Sequence, residues 1–133
     1  MTELFSPAAR ELITKKVLAH VASLDADGGP NVSPVWVELD GDDLVINTAL
    51  GRAKARNLAS DARVAVSIVD PDDDHSLITL HGSVVGFTTI GADEVIDRLA
   101  QKYLGVDTYP NRREGEVRVT VTIHPDRITR QPE

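Results

Sequence analysis

The sequence of 133 residues contains no cysteine, so it can form no disulfide bond and offers no thiolate to a metal ion. Aromatic residues are scarce at 4%, which leaves Val, Leu, Ile and Ala to build the core. No apolar run approaches the ~20 residues that cross a membrane, and the N-terminus lacks the basic-then-apolar pattern of a signal peptide. We therefore expect a cytoplasmic protein with no membrane partner.

Several functional motifs are also missing. The four histidines lie in different predicted elements, with no pair at metal-ligand spacing, so no metal site is predicted. No serine lies in a G-x-S-x-G motif, and no glycine run forms a G-x-G-x-x-G or Walker loop, so neither a hydrolase triad nor a common nucleotide-binding loop is predicted, and these motifs supply no catalytic side chain. The net charge of -7 disfavours nucleic acid as a partner.

The patterns that are present predict one domain over residues 1–133. Alternating and β-branched runs indicate six strands, at residues 17–25, 31–39, 43–48, 63–69, 77–87 and 117–123. Ser6 and Pro7 are typical of a helix start, and apolar spacing predicts a longer helix over residues 89–104. Gly82 and Gly86 suggest bulges in the fifth strand. Short turns between strands favour a small, mainly antiparallel β-barrel.

A basic turn lies between the third and fourth predicted strands, in the run GRAKARNLASD at residues 51–61. Gly51 can adopt backbone angles closed to other residues, and the short helix after it offers free N–H groups to an anion. Arg52 and Lys54 would add two positive charges there. A surface helix that carries Arg and Lys for solubility fits the same pattern.

The only tryptophan, Trp36, lies beside Pro34 in the second predicted strand. A flat side chain at this place can line a pocket for a ring system, and it can equally well belong to the barrel core. The residues alone leave both interpretations open.

Four segments together resemble a known family: residues 33–37 (SPVWV), 40–42 (DGD), 46–48 (INT) and 51–58 (GRAKARNL). The combination is similar to the flavin and deazaflavin oxidoreductases of the split β-barrel fold, a superfamily that includes pyridoxamine phosphate oxidase. The resemblance runs from about residue 12 to residue 130. It implies a six-stranded antiparallel split barrel and a homodimer with a cofactor, FMN or coenzyme F420, in each of two sites at the interface.

The resemblance also implies roles for individual residues. Arg52 and Lys54 would hold the cofactor phosphate, with the turn shaped by its neighbours, and His75 would reach across from the second subunit. The complete implied cofactor-binding set is Pro34, Val35, Trp36, Asn47, Thr48, Gly51, Arg52, Ala53, Lys54, Asn57 and His75.

One departure from the family pattern bears on the reaction. Pyridoxamine phosphate oxidases carry an Arg and a Lys in the second strand, where this sequence has Ser33 and Glu38. The sequence is more similar to the deazaflavin-dependent branch, which implies an F420-dependent reductase acting on a small, electron-poor organic substrate. An FMN-dependent reductase or oxidase, and a non-catalytic protein that carries a flavin-like ligand, remain the alternatives.

Overall fold

The computed structural model describes residues 4–131, which form seven strands and three helices. In chain order these are α1 (Pro7–Thr14), β1 (Ala19–Leu24), β2 (Pro30–Val35), β3 (Glu38–Asp40), β4 (Asp43–Ala49), α2 (Ala53–Ser60), β5 (Arg63–Asp70), β6 (Asp73–Thr88), α3 (Ala92–Leu104) and β7 (Arg118–Gln131). The fold is therefore mainly β with short helices, as the sequence predicts.

All strand pairs are antiparallel, and the strands form one sheet in the order β2-β1-β5-β6-β7-β4-β3. The two edge strands, β2 and β3, follow each other in the chain and are separated only by Trp36 and Val37. Because this link is so short, the sheet must curl until its two edges lie close together. The result is a barrel that is split along one line, which we call the seam, with Trp36 and Val37 crossing it.

The break at the seam explains why the structure has seven strands and not the predicted six. The run at residues 31–39 is not one strand but two, β2 and β3, which lie at opposite edges of the sheet. Val37 lies between them and bonds to side chains instead of to a strand. Its N–H donates to the Tyr103 hydroxyl (3.1 Å), and its carbonyl accepts from Lys102 Nζ (2.7 Å). A sequence that alternates in the manner of one strand is therefore broken by contacts from α3.

The end of α3 ties the seam to the rest of the barrel. The Tyr103 hydroxyl also donates to the carbonyl of Val17 (2.5 Å), and Lys102 Nζ donates to the carbonyl of Ile13 (2.8 Å). Burial lowers the pKa of Lys102 to about 8, against a smaller opposing effect of Glu38. Since a neutral amine still carries two N–H groups, both bonds to carbonyl oxygens survive its deprotonation.

The barrel interior is filled by aliphatic side chains from α1 and the strands. Leu44, Ile46, Val121 and Ile123 are completely buried and lie on the inner face where β4 pairs with β7. The next residues along each strand therefore face the opposite side, toward α3. No helix formed within residues 4–131 has the length and apolar character needed to cross a membrane.

Local predictions about caps and bulges are confirmed. Ser6 caps α1 by accepting a hydrogen bond from the N–H of Ala9 (3.2 Å), with Pro7 at the first helical position. The β6–β7 register shifts between His81 and Gly82 and again before Gly86, so both glycines mark bulges.

Candidate functional site

The basic turn before α2 has the geometry that its glycine suggests. Gly51 has a φ of 92°, a backbone conformation that other residues rarely adopt. Arg56 Nη1 donates to the Gly51 carbonyl (2.5 Å), so this guanidinium holds the turn closed. Arg52, the N-cap residue of α2, makes no side-chain capping hydrogen bond, which leaves the N–H groups of the first turn open to a ligand.

A pocket of about 210 Å³ opens beside this turn, and we call it the main pocket. It lies where β2 and β4 meet α2 and α3. The residues of the predicted set that line it are Pro34, Val35, Trp36, Asn47, Thr48, Arg52 and Lys54. The lining residues that sequence reasoning missed are Leu18, Ile96, Leu99, Tyr109, Asn111 and Arg118.

A second cavity, the side groove, adjoins the main pocket along the face of α2 and has a volume of about 280 Å³. Its walls are residues 23 and 31–33 of β1 and β2 on one side, and Ala53 and Asn57 of α2 on the other. Arg52 and Lys54 line both cavities, so two cationic side chains lie at the junction between them.

Lys54 is half-buried and makes no hydrogen bond or ion pair with any residue from 4 to 131. Burial lowers the pKa of its ammonium group, and the positive charges of Arg52 and Arg118 lower it further. Among residues 4–131, the one carboxylate close to these cations is Glu116, whose Oε2 lies 3.6 Å from Arg52 Nη2. An anion bound beside Lys54 would oppose all three effects on the lysine pKa, so the charge at this junction suits an anionic group.

Arg118 is buried on the α3 side of the pocket. Its Nε donates to Asn47 Oδ1 (2.8 Å), and its Nη1 donates to Glu116 Oε1 (3.0 Å). Asn47 in turn donates through Nδ2 to the carbonyl of Ala92 (2.9 Å), at the start of α3. The guanidinium also lies 5.2 Å from the centre of the Tyr109 ring. Asn47 is therefore held rigidly, as part of a polar network between β4, β7 and α3.

Thr48 faces the opposite side of β4 and presents a hydroxyl that nothing in the described chain bonds. Its Oγ1 is buried and finds no partner within the part of the chain that the structure describes. A buried hydroxyl without a partner costs free energy. The unpaired Lys54 and Arg52 at the pocket junction fit the phosphate of a phosphorylated cofactor.

Trp36 forms a flat wall of the main pocket. Its ring stacks on Tyr103 with centroids 5.0 Å apart and an interplanar angle of 7°, and the edge of Tyr109 meets it at 6.0 Å. The core cluster contains the neighbours Val35 and Val37 but not the tryptophan. Of the two interpretations that the sequence leaves open, the structure favours the pocket wall.

His75 is not brought to this pocket within one chain. Its side chain is 94% exposed, on the first residues of β6, and its nearest charged neighbour is Asp74 at 3.6 Å. A role in the site of a second subunit stays a prediction. Within residues 4–131 no three His, Asp or Glu side chains cluster in a way that suits a metal ion.

The missed residues gave weak sequence signals. Arg118 belongs to an alternating strand, where a polar residue ordinarily indicates the solvent face. Only the register of β4 against β7, which pairs Ala49 with Arg118, reveals that this face is covered by α3. Tyr109 and Asn111 reach the pocket from the connection between α3 and β7. Its path is fixed by Asp97, which accepts hydrogen bonds from the N–H of Tyr109 and from Arg112.

Comparison with known proteins bears on the family of this chain and on the cofactor that its pocket fits. The family model described as pyridoxamine 5'-phosphate oxidase matches residues 5–131, whereas no curated protein matches the chain. A solved F420 reductase shares 25% identity, with 97% of this chain and 98% of that chain covered and a TM-score of 0.81.

Two further solved structures, each below 25% identity, show the fold alone. HupZ from Group A Streptococcus shares 24% identity, with 96% of this chain and 94% of that chain covered and a TM-score of 0.70. The conserved hypothetical protein Rv2991 from Mycobacterium tuberculosis shares 19%, with 98% and 89% covered and a TM-score of 0.72. With the family match over nearly the whole sequence, the chain belongs to the pyridoxamine 5'-phosphate oxidase family of split β-barrel proteins, and its pocket fits a flavin-type cofactor.

Proposed function

We propose that this protein is an F420-dependent reductase that transfers a hydride from the reduced deazaflavin to a small, electron-poor organic substrate. The observation that carries the proposal is the unpaired, half-buried Lys54 beside Arg52, at the end of a pocket with the flat wall of Trp36. The 25% identical structure named as an F420 reductase supports the choice of cofactor. So does Glu38, which is paired with Arg98 and supplies no positive charge where the oxidases have one.

When bound, the cofactor supplies the hydride chemistry, and the protein positions it. Arg52 and Lys54 would hold its phosphate, and Thr48 would lie beside them in the pocket wall. Trp36 presents a flat surface to the ring. The apolar side chains of Leu18, Ile96 and Leu99 line another part of the wall. We assign no side chain as the acid and propose solvent as the source of the accompanying proton.

The proposal includes a cytoplasmic homodimer in which residues 1–133 of each subunit form one domain. The dimer is what the family resemblance implies, and the main pocket, which is open to solvent, leaves room for a second subunit beside it. His75 is the side chain proposed to complete it from the partner. Size-exclusion chromatography with light scattering checks the dimer, and a monomer that binds cofactor fully would contradict it.

The decisive experiment is a parallel titration of F420 and FMN into the apo-protein. Preferential binding of F420, followed by reduction of quinones or enones, supports the reductase. Preferential binding of FMN supports the alternative that the family description favours, an FMN-dependent reductase or oxidase. Tight binding with no turnover over the whole substrate panel indicates a carrier protein.

Replacing Lys54 with alanine should weaken cofactor binding about tenfold or more, because a hydrogen bond to a charged group contributes roughly 1.5–3 kcal/mol. Fluorescence titration of the cofactor measures the change. Lys16→Ala is the matched control, since Lys16 is exposed and lines neither cavity. Equal affinities for the Lys54 variant and the unmodified protein would refute the phosphate assignment.

The affinity should also depend on pH. Burial and the two neighbouring guanidinium groups lower the pKa of Lys54, so its ammonium loses the proton at a lower pH than an ordinary lysine does. Because the charged form binds the phosphate, affinity should fall as pH rises through that lowered pKa. Titrations from pH 7 upward check this, and Lys54→Ala should lack the fall.

A further inference from the structure

Arg118 is a buried cation that the phosphate assignment above leaves unused. Its side chain is 4% exposed, and it lines the main pocket. Nε and Nη1 bond to Asn47 and Glu116, whereas Nη2 makes no hydrogen bond within residues 4–131. An arginine presents five N–H groups in a fixed fork, and this one therefore keeps free donors at a place where water is largely excluded.

The charges around the pocket do not balance. Arg52, Lys54 and Arg118 are positive, whereas the one carboxylate among them in the described part of the chain is Glu116, 8% exposed and shared by both arginines. The positive charges of Arg52 and Arg118 both reach Lys54 and lower its pKa. Two positive charges are left without a counter-charge in a half-buried site, and an uncompensated charge of this kind is costly.

We propose that Arg118 is a third anion-binding residue of the main pocket and that the group bound there carries two negative charges. A phosphate monoester in its dianionic form has this charge, and so does a phosphodiester with an adjacent carboxylate. The inference rests on the proposed function in that it concerns the same pocket. Glu116 then limits the affinity, because its carboxylate already neutralises part of the positive charge that attracts the ligand.

A purely structural role for Arg118 makes different predictions. In that case the guanidinium only anchors Asn47 and Glu116, and its removal alters the stability of the protein but not the affinity for small anions. The double variant Arg118→Met with Glu116→Gln separates the two roles. It removes one positive and one negative charge, so the excess of two positive charges stays while the fork of Arg118 is lost.

The probe is inorganic phosphate, measured by calorimetry near pH 8, with dimethyl phosphate as a permanently monoanionic analogue. We expect phosphate to bind the unmodified protein at least tenfold more tightly than dimethyl phosphate does. The double variant should bind phosphate at least tenfold more weakly, by the strength of a hydrogen bond between charged groups. Glu116→Gln alone should bind it more tightly. Arg98→Met, which removes an exposed arginine paired with Glu38, should leave it unchanged.

Thermal unfolding without phosphate shows whether each variant is folded. If the double variant is unfolded, Arg118→Lys is measured instead. It keeps the positive charge but loses the paired N–H groups of the guanidinium, so it should bind phosphate several-fold more weakly than the unmodified protein does. Unchanged phosphate affinity in the folded double variant, or in Arg118→Lys, overturns the proposal, and so does equal binding of the two anions. Arg118-dependent phosphate binding without binding of F420 or FMN would uphold this inference while the proposed function fails. Cofactor binding that is unaffected by the Arg118 variants would uphold the proposed function while this inference fails.

Discussion

Replacing Gly82 with alanine should lower the free energy of unfolding by about 3 kcal/mol or more, by the cost of overpacking a closed site. A Cβ atom at this position would lie 2.5 Å from the carbonyl oxygen of His124 and 3.2 Å from the Cα of Pro125. Both are backbone atoms of β7, so no side chain can turn away to relieve the overlap. The two strands must separate, and the β6–β7 pairing beside the bulge must be lost.

Gly86→Ala is the matched control, because Gly86 lies at the second bulge of the same pair of strands. Its Cβ would meet the Cβ and Oγ1 atoms of Thr122 at 3.1 Å, an overlap that a shift of a few tenths of an ångström relieves. The smaller entropy of an unfolded alanine offsets part of the cost, so we expect a change within about 1 kcal/mol. Urea denaturation of both variants measures the difference. Equal stabilities would show that β7 moves away from Gly82 without cost.

The same bulge matters to the site through strand register. β6 runs for 16 residues and pairs with β5 on one side and β7 on the other. β7 in turn pairs with β4, where Asn47 is opposite Thr120 and Ala49 is opposite Arg118. The close approach at Gly82 sets the register of β7 against β6, and the β4–β7 pairs then place Arg118 near Asn47. A shift of one residue would turn Arg118 to the other face of the sheet.

Much of the fold could be predicted because short stretches of sequence indicate its strands, the start of its first helix and its bulges. Alternation located the strands, Ser6 and Pro7 marked the start of α1, and Gly82 and Gly86 marked the bulges. Each of these signals acts over a few residues and depends little on distant parts of the chain. The family resemblance added the connection of these elements into a split barrel.

The break between β2 and β3 could not be predicted in this way. No glycine interrupts the run from Val35 to Leu39, which alternates as one strand would. The break depends on Lys102 and Tyr103, which lie more than sixty residues further along the chain. Long-range contacts of this kind leave no mark on the segment that they interrupt.

The residues of the candidate site fall into the same two groups, those that the local sequence reveals and those that depend on distant parts of the chain. The basic turn and the strand of Trp36 were found from sequence, because each is contiguous and has an unusual composition. Arg118 was missed because its burial depends on the position of α3. Tyr109 was missed because the loop that carries it has no pattern of its own. Residues whose position in the site depends on the folded path of the chain can be identified only from the structure.

Replacing Tyr103 with phenylalanine should lower the free energy of unfolding by about 2 kcal/mol. The hydroxyl accepts from the N–H of Val37 (3.1 Å) and donates to the carbonyl of Val17 (2.5 Å), and both backbone groups lose this partner in the variant. The ring that stacks on Trp36 is retained, so the loss isolates the two hydrogen bonds at the seam. Tyr109→Phe is the control, since that ring also contacts Trp36 but its hydroxyl makes no hydrogen bond within residues 4–131.

Two readouts distinguish loosening of the seam from a general loss of stability. Trp36 is the only tryptophan, so its emission should shift to longer wavelength in Tyr103→Phe at low denaturant and stay unchanged in Tyr109→Phe.

Burial also raises the pKa of Tyr103 above its ordinary value of 10.0. Above that pH the unfolded chain releases the phenolic proton while the folded protein keeps it, so the stability that Tyr103 provides falls as pH rises. The difference between the unmodified protein and Tyr103→Phe should therefore be constant below pH 9 and narrow above pH 10, and a difference that widens there would contradict the buried hydroxyl at the seam.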